Sequence, residues 1–573
     1  MCSSVDWHRL HSLLRDPVAR SGDSTACPPE KFAILLSDIY ASDDPLHSSS
    51  RDLLKHLPKF SIGELKRALK AMRNRRCPDK NGVVVEMLQQ ASSFVHLHLL
   101  ALYNRIICTG TIEDHWREVY FTMVPKSGDL TEATNWRPIA ILSVFYKVFS
   151  RMVYNRIVST LEAQQSADQH GFRSGIRLED ALMVVETVVS RYCEFNKSLY
   201  IASLDVRKAF DRIQHGALFA ALREQGADEC TIALITELYK GQRGKANGSR
   251  FFDICRGVKQ GDVLSSLLFN SCLEMVFRRW KLRVSSHGLF IMTNCERLTN
   301  TRYADDVLLY STSLSGIREM LSLLHDELAK VGLQMHGEKT KVLTNVSHET
   351  PLHITVGDMQ VEVLATDACH KYLGRQLCLD SSNRVRVEVD NRCRSAWAKF
   401  HQCRRWLTNC HIPLKQRIKY LDTVIRPSAI FGLHVLPLTC KHLQQLAVLQ
   451  RRMLRSVVGW RRLETDTWEE TMRRMKSRVA RALELSPSEP WDHVTLRQQW
   501  RFMLHVRSST TLWSYRMAAW TPTGCRNVGR PKLRWDDYLC KFVRAKFFLP
   551  HWNEVDVELA KNVIDEFVTS VVH

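Results

Sequence analysis

Arg302-Tyr303-Ala304-Asp305-Asp306-Val307-Leu308-Leu309-Tyr310 sets two acids side by side between apolar and aromatic residues. The flanks read as two short strands, which puts the acidic pair at or near a hairpin tip. There both carboxylates can converge on a cation, although a solvated turn would accept the same two residues. Upstream, Tyr200-Ile201-Ala202-Ser203-Leu204-Asp205 runs an apolar strand into a third acid. An unpartnered carboxylate buried at a strand end is costly. The alternative is a capping role for Asp205 at the start of the next helix; Asp211 suits a local turn or cap better. Asp205 and Asp305 together supply hard oxygen ligands on adjacent strands. Phosphoryl transfer by two magnesium ions about 3.5–4 Å apart needs that donor set, with manganese as the alternative metal.

Further blocks stand in a definite order. They are Cys77-Pro78-Asp79-Lys80-Asn81-Gly82, Val124-Pro125-Lys126-Ser127-Gly128, Asn135-Trp136-Arg137-Pro138-Ile139 and Gln169-His170-Gly171-Phe172-Arg173. After Asp205 come Gly257-Val258-Lys259-Gln260-Gly261-Asp262-Val263-Leu264-Ser265, then Gly332-Leu333-Gln334-Met335-His336-Gly337-Glu338-Lys339-Thr340-Lys341 and Lys371-Tyr372-Leu373-Gly374. With the Asp205 and Asp305 segments as motifs A and C, this series resembles the reverse transcriptases of non-LTR (LINE-type) retrotransposons, over roughly residues 60–380.

The resemblance implies an α+β right-hand polymerase: fingers, a palm with an antiparallel sheet, a thumb, and a helical basic C-terminal extension. It implies catalytic roles for Asp205, Asp305, Asp306 and Lys339. Asp205, the Val206 carbonyl and Asp305 would hold two Mg²⁺ ions, with Asp306 a weaker ligand. Lys339 would protonate the departing pyrophosphate; a solvated helix-end lysine is the plain alternative. Lys126 and Arg137 would pair with triphosphate oxygens, and Lys208, Phe210, Gln260 and Gly261 complete the nucleotide site. Phe210 would lie beneath the sugar and collide with a 2'-hydroxyl, selecting deoxynucleotides; a core aromatic is the other reading.

Some positions depart from the family pattern. Motif B lacks its two prolines and gains Asp262, whose carboxylate would repel a template phosphate unless it points away. His336 replaces the usual Asn of motif D, and Ser174-Gly175-Ile176-Arg177-Leu178 lacks the Arg-Ser-Thr that often follows the fingers motif. None of these changes removes a metal ligand.

The net charge of +21 is concentrated. Residues 384–548 hold 33 Lys and Arg against 12 Asp and Glu, the same surplus of 21 as the whole chain. That points to a polyanionic partner bound through salt-sensitive phosphate contacts. Apolar residues Leu443, Leu446, Leu449, Leu454 and Val457 recur at helical spacing, with Arg451, Arg452 and Arg455 between them. Farther on, Trp491, Trp500, Trp513, Trp520 and Trp535 alternate with arginines, and core packing is the safer assignment for these rings. Arg530, Lys532 and Arg534 lie in Gly529-Arg530-Pro531-Lys532-Leu533-Arg534-Trp535-Asp536, which resembles a block near the C-terminal end of many non-LTR proteins. Cys403, Cys410, His411, Cys440 and His442 lack zinc-knuckle spacing. Seventeen cysteines without a CxxC pair or a secretory signal read as reduced thiols.

The expected division is a leader over 1–59, fingers and palm over 60–383, a helical thumb-like region over 384–486 and a Trp/Arg-rich region over 487–573. The expected function is RNA-directed DNA synthesis, with an RNA template, a DNA primer and dNTPs as partners. An endonuclease would act in trans, no membrane is involved, and the setting is intracellular and nuclear. A catalytically impaired, element-derived RNA-binding protein is the alternative, and a maturase-like protein a more distant one.

Overall fold

The computed structural model describes residues 27–42, 51–126, 129–246, 249–291, 297–380, 382–460, 462–518, 520–526, 528–529 and 531–572. The chain divides into two compact units, one formed by residues 1–164 with 208–275 and the other by 165–207 with 276–573. Both mix helices with a sheet, and helices predominate.

In the first unit four strands run in the order Trp136–Ile141, Glu118–Pro125, Gln242–Ala246, Phe251–Ile254. The helix Pro29–Tyr40 packs on this sheet, with Tyr40 in a three-ring cluster with Phe121 and Phe252. Gly257 has φ +85°, and a Cβ there would stand 2.5 Å from the Asp211 carbonyl oxygen. Only glycine lets this backbone lie so close to residues 210–213. Two bonds fix the approach, from Val258 N–H to Phe210 O and from Gly257 N–H to Ile213 O, each 2.7 Å.

The second unit is built on a six-stranded sheet in the order Leu352–Val356, Met359–Val363, Lys341–Thr344, Tyr200–Leu204, Asp306–Ser311, Asn300–Tyr303. Tyr200–Leu204 lies between two antiparallel neighbours, and its residues 201–204 are buried. The sheet departs from the antiparallel palm that the resemblance implies. Lys341–Thr344 and Met359–Val363 run parallel, because the chain reverses twice, through Leu352–Val356 and its hairpin, before returning beside its starting strand. The first unit's sheet is also mixed, with Glu118–Pro125 parallel to Gln242–Ala246.

Every regular element within residues 384–572 of this unit is a helix among the described residues. Cys440–Val457 is opened by Thr439, whose hydroxyl accepts from His442 N–H, and it buries Leu443, Leu446, Leu449, Leu454 and Val457 on one face. All five tryptophans read as core are buried. Three of the buried indoles donate to fixed acceptors: Trp500 to Ala560 O, Trp513 to Asp168 Oδ1 and Trp535 to His434 O, at 2.7–2.9 Å. Rings so committed are core members, not platforms for bases. No helix among the described residues is long and apolar enough to cross a membrane.

Candidate active site

The three acids stand at neighbouring strand ends in the second unit. Asn300–Tyr303 and Asp306–Ser311 form an antiparallel hairpin in which Tyr303 pairs with Asp306, so Ala304 and Asp305 make the turn. Leu204 pairs with Val307, which sets Asp205 at the strand end beside Asp306. Burial, and then repulsion by Asp305 and Asp205, push the Asp306 carboxyl up to about 6. By surface area Asp306 is exposed, and the neighbouring Asp305 and Asp205 carboxylates oppose its charge. Such a cluster of oxygen donors, strained by its own charge, fits hard divalent cations such as magnesium.

The turn is held by Gln169, the first residue of a motif block to which the sequence assigns no role of its own. Ala304 adopts φ +58°, which a residue with a Cβ rarely does unless its surroundings enforce it. Gln169 Oε1 accepts from Ala304 N–H at 3.1 Å and from Gly171 N–H at 3.0 Å. A Cβ on Gly171 would stand 2.5 Å from Ala304 N, so glycine is required there. Residues 302 and 168–170 exchange backbone bonds, Arg302 N–H to Asp168 O and His170 N–H to Arg302 O. The Gln169-His170-Gly171 block thus supports the turn carrying Asp305.

Motif D clamps Asp205 in turn. His336 N–H donates to Asp205 O at 2.8 Å and Arg207 N–H to Gln334 O at 2.9 Å, while the Thr340 hydroxyl accepts from Asp205 N–H at 3.3 Å. This pattern leaves the Val206 carbonyl turned away from the Gln334–His336 segment. Lys339 Nζ lies 3.7 Å from Asp205 Oδ2 with both side chains well exposed, a contact that contributes little stability but brings the lysine to the acidic group. The 371–374 block is a tight turn with φ +44° at Leu373 and +79° at Gly374, joining Cys369–Tyr372 to Arg375–Cys378.

The remaining nucleotide-site candidates belong to the first unit. Lys126 follows the strand Glu118–Pro125, and Arg137 pairs across with Val124, so both cations stand at one end of the same hairpin, exposed. Phe210 is half-buried and stacks on Phe269 at 4.3 Å and 17°; it is partly core and keeps an exposed face. Gln260 Nε2 donates to Asp211 Oδ1 at 2.7 Å, and the Tyr40 hydroxyl donates to the same oxygen at 2.8 Å. Asp211 is therefore a buried tertiary anchor as well as part of a local turn, and burial raises its carboxyl despite Lys208 and Lys126 nearby. Gly261 adopts φ +101°. Asp262 points inward: it is buried and accepts from Tyr146 Oη at 3.0 Å and Ser150 Oγ at 2.6 Å.

Arg451 and Arg452 are exposed on the Cys440–Val457 helix, while Arg455 is half-buried against Arg451 O and Met472 Sδ. Lys532 is exposed. Arg534 is engaged internally, donating to both oxygens of Glu194 at 2.8 and 3.2 Å. Arg530 lies outside the described residues.

Residues 124–377 match the sequence model of the family described as "Reverse transcriptase (RNA-dependent DNA polymerase)". Among similar proteins, the Pol polyprotein of the type-1 retrotransposable element R2 of Popillia japonica is 26% identical over 391 residues, covering 65% of this chain and 51% of that protein. The R2DM polyprotein of Drosophila melanogaster is 26% identical over 362 residues, 61% of this chain and 32% of its own length. The RNA-directed DNA polymerase from mobile element jockey of Drosophila melanogaster is 23% identical over 432 residues, 70% and 44%. The matched segments span about half or less of these relatives.

Proposed function

Because the chain carries a reverse transcriptase domain distantly homologous to those of non-LTR retrotransposon proteins, we propose that it is an RNA-directed DNA polymerase adding dNTPs to a primer 3'-hydroxyl on an RNA template. The observation that carries this is the convergence of Asp205, Asp305 and Asp306 at adjacent strand ends. Asp205 and Asp305, with the Val206 carbonyl, would hold two Mg²⁺ ions and Asp306 would assist. When bound, such ions activate the attacking hydroxyl and stabilise the leaving pyrophosphate. Lys126 and Arg137 bind and orient the triphosphate, with Lys208, Gln260 and Gly261 completing the nucleotide site. Lys339, drawn toward the acids by Asp205, supplies the proton that pyrophosphate takes on leaving. Phe210 excludes the ribose 2'-hydroxyl through its exposed face.

In this reading the two units are parts of a right-hand polymerase, and the helices after residue 384 act as thumb and basic extension. Arg451, Arg452 and Lys532 supply phosphate contacts. The inward Asp262 presents no charge to a template, so the acid in motif B lends no support to an RNA-binding protein without catalysis. Primer extension on an RNA template tests the assignment. Magnesium-dependent dNTP incorporation supports it, and RNA binding with no incorporation in any divalent metal overturns it.

A further inference from the structure

Near the end of the chain, far in sequence from the acidic strands, Asp536, Cys540 and His551 bring one oxygen, one sulfur and one nitrogen within 4.8 Å of one another. The local structure accounts for the convergence. Asp536 precedes the helix Asp537–Phe547, and Cys540 N–H donates to Asp536 O at 2.8 Å, so the two side chains share one face at the helix start. The chain returns at Pro550 and places His551 just before the turn Trp552–Glu554.

Asp536 Oδ2 is the hub, with His551 Nε2 at 3.3 Å, Cys540 Sγ at 3.9 Å and Trp552 Nε1 at 3.2 Å. A charge-assisted hydrogen bond between imidazolium and carboxylate normally closes to about 2.7–2.9 Å. The N···O separation instead matches a tetrahedral edge and the S···O separation is longer than one, so the sulfur closes in on binding: bonds of about 2.0–2.1 Å to N and O and about 2.3 Å to S give edges of about 3.3 Å for N···O and about 3.5 Å for S···O. The far side of the ring is also held, since His551 Nδ1 lies 2.9 Å from Asn553 Oδ1 and 3.3 Å from Asn553 N. With the amide oxygen as acceptor, Nδ1 carries a proton, and loss of the Nε2 proton shared with Asp536 leaves that nitrogen as the ligand, the outer-sphere support that metal-bound histidines usually have. Asp536 is buried, whereas Cys540 and His551 are half-buried, leaving an open side for entry and for a fourth ligand.

We propose that Asp536, Cys540 and His551 form a zinc site, with water in the fourth position. The mixed O, S and N donors suit borderline-soft Zn²⁺ and not magnesium. On binding, Zn²⁺ displaces any proton on His551 Nε2 and the Cys540 thiol proton to solvent, and the thiolate and Asp536 carboxylate neutralise its charge. The site fastens the segment after Pro531 to the Trp552 turn.

The test uses the full chain, stripped with chelator, reloaded with ZnCl₂ or CoCl₂ and passed through gel filtration. Wild type is expected to retain about one zinc and, with cobalt, a thiolate-to-metal charge-transfer band in the near ultraviolet. Cys540→Ala and His551→Ala should each lower zinc affinity about 10- to 100-fold or more, and Cys540→Ala should abolish the band. Cys440→Ala, which alters an exposed cysteine outside the trio, should leave both unchanged, and far-UV circular dichroism verifies that each variant is folded. Wild type that retains no more zinc than Cys540→Ala, or a cobalt band that survives Cys540→Ala, overturns the site. The readout is metal content, so the result stands apart from any polymerase assay.

Discussion

Asp306→Asn should stabilise the metal-free protein, and only above acid pH. The Asp306 carboxyl is raised from its ordinary 3.8 to about 6, so the fold favours the neutral form. A carboxyl with a raised pKa costs nothing below its unfolded value. The penalty grows as pH climbs from about 4 and is complete above about 6. Taken whole, the shift amounts to about 3 kcal/mol at neutral pH. Asp306 is exposed by area, so solvent screening reduces this to about 1 kcal/mol. In a unit of this size that is about 2 °C or less in melting midpoint. Thermal melts in EDTA at pH 4.5, 6 and 7.5 measure it: the variant should match wild type at the lowest pH and melt higher at pH 7.5. Magnesium should narrow or reverse the gap, because wild type gains a ligand that the variant lacks. A gap independent of pH, or a variant that melts lower at pH 7.5 in EDTA, would refute the picture of mutually repelling acids.

Gln169→Ala leaves the Ala304 N–H without its acceptor, a loss of about 1–3 kcal/mol; kcat should fall while KM for dNTP stays near wild type, and equal losses in both would show that Gln169 does not act through the turn. Asp262→Ala strips the acceptor from Tyr146 and Ser150 and the nearby negative charge from buried Lys259, which burial pushes down to about 7. The expected loss is about 3 kcal/mol in urea unfolding, whereas an exposed acid would give a change near zero. Phe210→Ala should lower discrimination against ribonucleotides by about 10- to 100-fold, read as the ratio of kcat/KM values for dNTP and rNTP; an unchanged ratio would assign Phe210 to the core alone.

The sequence carried the acidic hairpin because its signal is local. Apolar and aromatic flanks, two acids at the tip and a strand running into Asp205 require no knowledge of distant partners. The helix bearing Arg451 was legible for the same reason, since Leu443, Leu446 and Leu449 already mark its buried face. What escaped the sequence depends on side chains that meet only after folding. Asp211 has a turn-forming neighbourhood, and nothing in it announces that Tyr40 and Gln260 will both donate to one of its oxygens. Whether Asp262 faces the template stays open in the sequence, because a motif gives a position without the direction of the side chain. The antiparallel expectation failed at one pair, where a double reversal that only the fold displays brings Met359–Val363 back parallel. Asp536, Cys540 and His551 have no familiar spacing. A helix start and a return of the chain bring them together.

Asp305 stands at the turn of the second unit's hairpin, where a metal-dependent polymerase needs a carboxylate. The direct measurement is extension of a labelled DNA primer on an RNA template with dNTPs and Mg²⁺, comparing wild type with Asp305→Ala after both are shown to melt alike. Template-directed extension by wild type that falls by about a thousandfold or more in the variant is the expected result. Extension at an unchanged rate in Asp305→Ala, or no dNTP-dependent product from wild type, would contradict it.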